Sequence, residues 1–273
     1  MKEYVEKIVF AAVAALWEEL DTTPKPGLVD KNGSGAHKDM DYALFAKSIG
    51  AIEPYLKRFA LVAEGSSDVN SLALALKDLG MRAENAMFAA TSGVNTHKGA
   101  IFTLGLTVAA AASKNIDGVT RLEHAQKQIS ALAEALSPLR SAGTHGHEIC
   151  RKYNVGGAFG QALDGYRGVL SLTLPLFERC EKSGFDKNKA NILVLLSLMA
   201  TLDDTNVLYR AGEAIYKNAR AKAAALLDNF TPGALQYLCM DFNANNISFG
   251  GAADMLMLSV FVKKLFSEGI LTR

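Results

Sequence analysis

The sequence predicts an all-α protein, a compact multi-helix single domain of about ten or more helices over residues 1–273. Three observations carry that expectation. Apolar residues recur at spacings of three and four through Ala- and Leu-rich segments, as they do in helices with one buried face. No segment alternates apolar and polar residues as a half-buried strand does. Polar loops join the segments with no Ser-, Gly- or Pro-rich linker, and no repeat at solenoid spacing appears. With 49% hydrophobic residues, the chain can bury one large core.

The stripe Val5, Ile8, Val9, Ala12, Val13, Leu16, Trp17 and Leu20 marks a first amphipathic helix. It stops near Asp21, because Pro24 and Pro26 remove donors and push the residues before them toward extended backbone. Residues 22–35 then form a loop. Asp39 or an earlier residue is placed to cap a second helix that buries Leu44, Phe45, Ile49, Ile52, Tyr55, Leu56 and Phe59. If it starts early, His37 and Asp41 share a face. Residues 72–90 read as a third helix, and 101–112, apolar except for Thr and Gly, as a central buried one. An amphipathic segment over 122–136 ends near Pro138. A helix over 158–180 should break near Gly165 or Pro175. Residues 189–202 are nearly all apolar, and the next helix, to Leu227, carries Arg210 and Glu213 one turn apart. Pro232 opens a short helix to about Phe242. Ser248 is a candidate cap for the last helix, over 252–266.

The net charge of +1 gives no reason to expect nucleic acid or an acidic membrane as main partner. An anionic ligand has to be met locally. Cys150, Cys180 and Cys239 are odd in number and widely spaced, which suggests neither a disulfide framework nor a zinc site and fits a reducing cytosol. The acidic N-terminal helix is unlike a signal peptide, and no apolar run approaches the roughly 20 residues that span a bilayer. A soluble, cytoplasmic protein is expected.

Chemistry concentrates in the loops. Residues 91–100, Thr-Ser-Gly-Val-Asn-Thr-His-Lys-Gly-Ala, offer Asn95 or Thr96 as a helix N-cap and put His97 and Lys98 in the first turn. Cations are unfavourable there unless an anion binds, so the stretch reads either as a phosphate site or as a solvated interhelical loop. His37, His97, His145 and His147 all lie in or beside polar loops, and only His124 falls within an ordinary helical pattern. His145-x-His147-Glu148 lacks the further paired ligands that a zinc site needs. Asp203 and Asp204 follow an apolar helix directly, so they either meet a partner such as magnesium with a polyphosphate, or Arg210, or simply complement a helix start. Neither a G-x-x-x-x-G-K-[ST] loop nor a G-x-G-x-x-G after a strand is present, so any nucleotide must be held at helix ends.

Six stretches resemble the signatures of the triphosphoribosyl-dephospho-CoA synthase family and keep that family's order. They are Lys25-Pro-Gly-Leu-Val-Asp30, Gly35-Ala-His-Lys-Asp-Met-Asp41, Gly93-Val-Asn-Thr-His-Lys-Gly-Ala-Ile-Phe102, Gly143-Thr-His-Gly146, Asp204-Thr-Asn206 and Ile247-Ser-Phe-Gly-Gly-Ala-Ala-Asp254. The resemblance implies an all-α enzyme that uses ATP with Mg2+. In that family the ribose 2′-hydroxyl of 3′-dephospho-CoA attacks C1′ of the ATP ribose and adenine leaves, giving the prosthetic-group precursor of citrate lyase or malonate decarboxylase. The product passes to an acyl carrier protein transferase. Neither nucleic acid nor membrane is an expected partner, and a homodimer is left open. Carried onto this chain, the implied roles are phosphate and substrate binding by Lys25, Asn95, Thr96, His97, Lys98, Arg210, Ser248, Gly250 and Gly251. Asp203, Asp204 and Asn206 would hold metal, and Asp39, Asp41 and His37 would do proton chemistry. Displacement at an anomeric carbon has oxocarbenium character, which suits a carboxylate base and assisted departure of the leaving group. Two departures stand out. Phe159 and Gln161 replace the Arg and Glu of the family's Gly-x-Arg-x-Glu-Ala, and Ser248-Phe249-Gly250-Gly251 replaces Ser-Pro-Gly-Gly. They admit a ribosyl transferase with another acceptor, or a binding homologue without turnover.

Overall fold

The computed structural model describes residues 3–113, 120–139 and 145–273, and twelve α-helices account for most of them. The helices follow the apolar stripes. α1 (Glu3–Asp21) and α2 (Tyr42–Gly65) flank the first loop, and α3 (Val69–Ala90) is capped by Asp68, which accepts from the Ser71 amide. α4 (Lys98–Ala112) is the central helix expected from its composition: all its residues from Thr103 to Ala112 are buried. α5 (Leu122–Leu136), α6 (His145–Tyr153), α7 (Gly157–Leu163) and α8 (Arg167–Lys182) form the next group. α9 (Lys187–Thr201) is buried without interruption from Ala190 to Met199. α10 (Thr205–Asp228), α11 (Pro232–Ala244) and α12 (Gly250–Ser267) complete the set, and α12 is buried from Met255 to Val262.

Three nearly all-apolar helices, α4, α9 and α12, therefore make the interior, and the amphipathic ones wrap them. α1 packs on α12, α2 and α4, while α9 packs on α8, α10 and α12. Gly105 of α4 lies against the ring of Phe59 on α2.

The boundaries depart from the sequence expectation where a side chain competes for the backbone. α2 begins at Tyr42, capped by Asp41 rather than Asp39, because the Asp41 carboxylate accepts from the Leu44 amide at 2.8 Å. His37 and Asp41 consequently do not share a helical face. Residues 158–180 do split near Gly165 (φ +64°), but Pro175 stays inside α8. The last helix starts at Gly250, and Ser248 does not cap it. Arg210 and Glu213 do not pair: Gly212 (φ +80°) kinks α10 between them, and Glu213 turns to Lys217. A two-residue parallel pairing of β1 (Thr120–Arg121) with β2 (Leu271–Thr272) is too short to leave a periodic trace in the sequence. Among the described residues no single helix is long and apolar enough to cross a membrane.

Candidate active site

The N-termini of α4, α10 and α12 converge, and glycines allow them to do so. A Cβ on Gly99, the second residue of α4, would lie 2.0 Å from Oδ2 of Asp254 on α12. On Gly251 it would lie 2.9 Å from Oδ2 of Asp204, and on Gly250 2.9 Å from Nδ2 of Asn206. Asp204 joins two of these helices. Its Oδ1 caps α10 by accepting from the amides of Asn206 (2.9 Å) and Val207 (3.4 Å), and its Oδ2 accepts from the Ala252 amide at 3.0 Å. Burial pushes its carboxyl up to about 6, against the pull of those amides. Asp254, one turn along α12 from Gly251, is pushed well above the usual carboxylate range by burial and by the nearby charges of Glu19 and Asp204.

The Pro-rich loop closes one side. Lys25 is only 3% exposed, and its Nζ donates to the Glu19 carboxylate at 2.5 Å and to the Glu19 carbonyl at 2.8 Å. A buried ammonium requires such partners. The Lys25 amide donates to Asp30 Oδ2 at 2.7 Å, which folds residues 25–30 into a closed turn. Gly27 (φ +70°) presses this turn against the Ile247 carbonyl, where a Cβ would come within 1.9 Å; no other residue fits.

His37 follows on the same loop. Arg210 Nη1 approaches its Nδ1 at 3.3 Å, and a guanidinium can only donate, so Nδ1 accepts and Nε2 carries the proton that faces Ser248 Oγ at 2.8 Å. Burial and then the charge of Arg210 lower the imidazole's pKa, while Asp39 opposes them weakly from 3.9 Å. Arg210 Nη2 also donates to the Ala36 carbonyl at 3.1 Å and to the Asn246 side chain. His37, Arg210 and Ser248 thus form one exposed-to-buried array beside the α10 and α12 N-termini.

The stretch around His97 behaves differently from the expectation of a cationic cradle. Thr96 Oγ1 donates to Ser48 Oγ at 2.7 Å, and Ser48 is then free to donate to His97 Nδ1 at 2.7 Å. His97 is 5% exposed, and burial, followed by the charge of Lys25, lowers its pKa to about 3. It contributes hydrogen bonding and packing, including an edge contact with Phe45 at 4.8 Å, and no charge. Asn95 Oδ1 accepts from the Lys98 amide at 3.2 Å, and the Lys98 ammonium pairs with Glu84 at 2.9 Å across a partly exposed surface. Asp203 pairs with Arg220 at 3.6 Å and accepts from Tyr216 at 3.3 Å, so it does not join Asp204. Asp39 is exposed, and Asp41 is committed to its cap. The side chains of His145 and His147 and the whole of residues 140–144 lie outside the described residues. Phe159 of α7 stacks on Phe102 of α4 with centroids 6.3 Å apart, an apolar contact one turn from Lys98.

Glu19 and Asp254 are the site groups that sequence reasoning passed over. A signal was present for both. Glu19 sits on the buried stripe of α1 between Leu16 and Leu20, and Asp254 precedes a run on α12 that is apolar but for Ser259. A carboxylate in such a position needs a partner or a function.

Together these groups present three helix N-termini, a guanidinium and two carboxyls with raised proton affinity, of which Asp254 favours the protonated form: an arrangement for a polyanion next to a proton-transfer step. Comparison with known proteins points the same way. The family model described as ATP:dephospho-CoA triphosphoribosyl transferase matches residues 5–271. "Protein CitXG" of Leuconostoc mesenteroides subsp. cremoris is 37% identical over 278 residues, which is 95% of this chain and 59% of that protein. The "probable 2-(5''-triphosphoribosyl)-3'-dephosphocoenzyme-A synthase" of Azotobacter vinelandii is 37% identical over 276 residues, 95% of this chain and 91% of the relative. The Pseudomonas fluorescens (strain Pf0-1) protein of the same name is 36% identical over 279 residues, 97% and 94% of the two chains. No solved structure matches the chain.

Proposed function

The chain belongs to the ATP:dephospho-CoA triphosphoribosyl transferase family, and from that premise we propose that the converged helix ends around Asp204 and Asp254 are where it moves the triphosphoribosyl group of ATP to the ribose 2′-hydroxyl of 3′-dephospho-CoA. In this reaction the acceptor O–H bond and the N9–C1′ bond of ATP break, an O–C1′ bond forms, and the hydroxyl proton ends on adenine. The triphosphate stays attached and serves as the handle that places C1′.

The observation that carries this reading is the placement of Asp254. Its carboxyl stands against Gly99, at the start of α4, and favours its protonated form. Such an acid can hand a proton to departing adenine and, once ionised, favour oxocarbenium character at C1′. Asp204, pushed up to about 6, sits at the functional boundary between acid and base near neutral pH. Arg210, positioned by His37, stands beside the α10 and α12 N-termini, where it can face the triphosphate. The Lys98–Glu84 pair is half-exposed and weak enough for the ammonium to exchange to phosphate.

Among the described residues, no three His, Cys, Asp or Glu side chains are grouped to hold a metal ion. The Asp204 carboxyl, ionised at neutral pH with its pKa of about 6, nevertheless fits a magnesium ion that arrives on the nucleotide and keeps phosphate and water oxygens in its shell. Asp204 would touch it as a carboxylate while Asp254 keeps its proton, and the ion would supply neutralisation of the triphosphate charge. Asp203, turned to Arg220, would not.

Incubation of the protein with ATP, Mg2+ and dephospho-CoA tests the proposal by chromatography and mass spectrometry. Free adenine and a CoA species heavier by the triphosphoribosyl group are expected in equal amounts. Folded protein that yields neither overturns it, and adenine without the heavier CoA species would make the chain an N-glycosidase instead.

A further inference from the structure

A second cavity, of about 550 Å³, opens on the other side of the Pro-rich loop, between that loop, the start of α9 and one face of α11. Its floor is apolar: Leu28, Ile192, Phe230 and Leu235 line it. Most of its charged groups are engaged within the protein. Lys25 is held by Glu19, Lys189 lies 3.6 Å from the centroid of the Phe185 ring, and Asp186 caps α9. The Asn188 side chain is spent on both polar groups of the Thr23 backbone. Among the described lining residues, no hydrogen bond engages the Ser34 hydroxyl or the three primary amides of Asn32, Gln236 and Asn243, and the amides are all exposed at the rim. A phosphate would meet a single lysine here besides the buried Lys25, namely Lys189, and no arginine beside it, whereas an uncharged chain bearing amides would find both an apolar floor and matching donors and acceptors.

We propose that this cavity binds the pantetheine arm of the acceptor. The inference rests on the transferase reading above, because that reading supplies two substrates of different shape. ATP is charged at one end and loses adenine at the other. Dephospho-CoA alone carries a long uncharged tail, with two amides, a hydroxyl and a geminal dimethyl group. The wall between cavity and site is shared: the loop that lines the cavity with Leu28 and Asn32 carries Lys25 toward Glu19 and continues into His37 and the Ala36 carbonyl that holds Arg210. A bipartite acceptor can therefore lay its tail on one side of this loop and its ribose on the other. Cys239 also lines the cavity, and burial, aided by the charge of Asp30, pushes its thiol up to about 12. The wall thus offers no thiolate to trap a pantetheine thiol as a mixed disulfide.

Gln236 and Met240 project from one face of α11 into the cavity and are exposed, so Gln236→Trp and Met240→Trp fill it without disturbing the core. Equilibrium binding of dephospho-CoA and of ADP, which lacks the arm, is measured by calorimetry for wild type and both variants. The wild type is expected to prefer dephospho-CoA by about tenfold or more, and each tryptophan to abolish that preference while ADP binding changes by less than about twofold. A preference that survives both substitutions, or is absent from the wild type, overturns the assignment, as does weakened ATP binding with the preference intact. None of these readouts requires turnover, so a failed adenine-release assay would sink the transferase reading separately.

Discussion

Asp254 is followed on α12 by a buried run from Met255 to Val262, and its carboxyl has Asp204 and Glu19 as electrostatic neighbours. Keeping an acid there costs stability, because a raised carboxyl pKa means that stability is full at low pH and lost as pH rises. Asp254→Asn removes that cost together with the transferable proton. We expect turnover to fall by about 100-fold or more with no loss of melting temperature; kinetics beside a thermal melt check both, and near-normal turnover would dismiss Asp254 as the acid. His97 works in the opposite sense. Its folded pKa of about 3 lies below the ordinary 6.5, so the unfolded chain takes up a proton that the native state refuses, and stability drains away as pH falls between those values. Asp204 partly masks this in the wild type, since its raised carboxyl gains native-state protons over part of the same range. The comparison with His97→Asn isolates the effect. The stability advantage of wild type should shrink by about 1.4 kcal/mol per pH unit below pH 6, measured by urea unfolding. A constant difference would mean that His97 is not held neutral.

At the level of elements, the start of α4 meets the start of α12 through a glycine set against an acid. Alanine at position 99 would ordinarily favour the helix by up to about 1 kcal/mol. Here its Cβ would overlap the Asp254 carboxylate, which is short and must rotate away. Gly99→Ala should therefore cut turnover by at least about tenfold while the melting temperature stays within a few degrees; full activity would show that the Asp254 position is immaterial. The helices themselves were legible because apolar spacing reports burial directly: α5 matches its expected span, and α4 and α9 match theirs to within three residues. Caps were less so. Asp39 and Asp41 are equally good caps by residue type, and only the chain path from Gly35 decides between them.

Across the molecule, the site draws on α1, the loop before α2, α4, α10 and α12, which are separated by up to more than two hundred residues. The loop motifs named most of the participants in advance, since Lys, His and Asp in glycine-bearing turns have few structural reasons to cluster. Their partners were hidden. Nothing local in the sequence says that Lys98 meets Glu84, that Asp203 meets Arg220, or that Lys25 is buried on Glu19; those pairings are decided by helix packing. The same holds for the cavity behind the Pro-rich loop, whose walls come from segments two hundred residues apart.

The kink at Gly212 bears on how such a site tolerates change. Its positive φ, with open space where a Cβ would stand, divides α10 into a short front part, anchored by the Asp204 cap and bearing Arg210, and a long rear part to Asp228. The two parts stay linked outside the helix, because Tyr216 and Arg220 of the rear part reach back to Asp203, beside the cap of the front part. A change at Tyr216 or Arg220 therefore bears on the turn that carries Asp204, whereas the rest of the rear part is separated by the kink from the turn that aims the guanidinium.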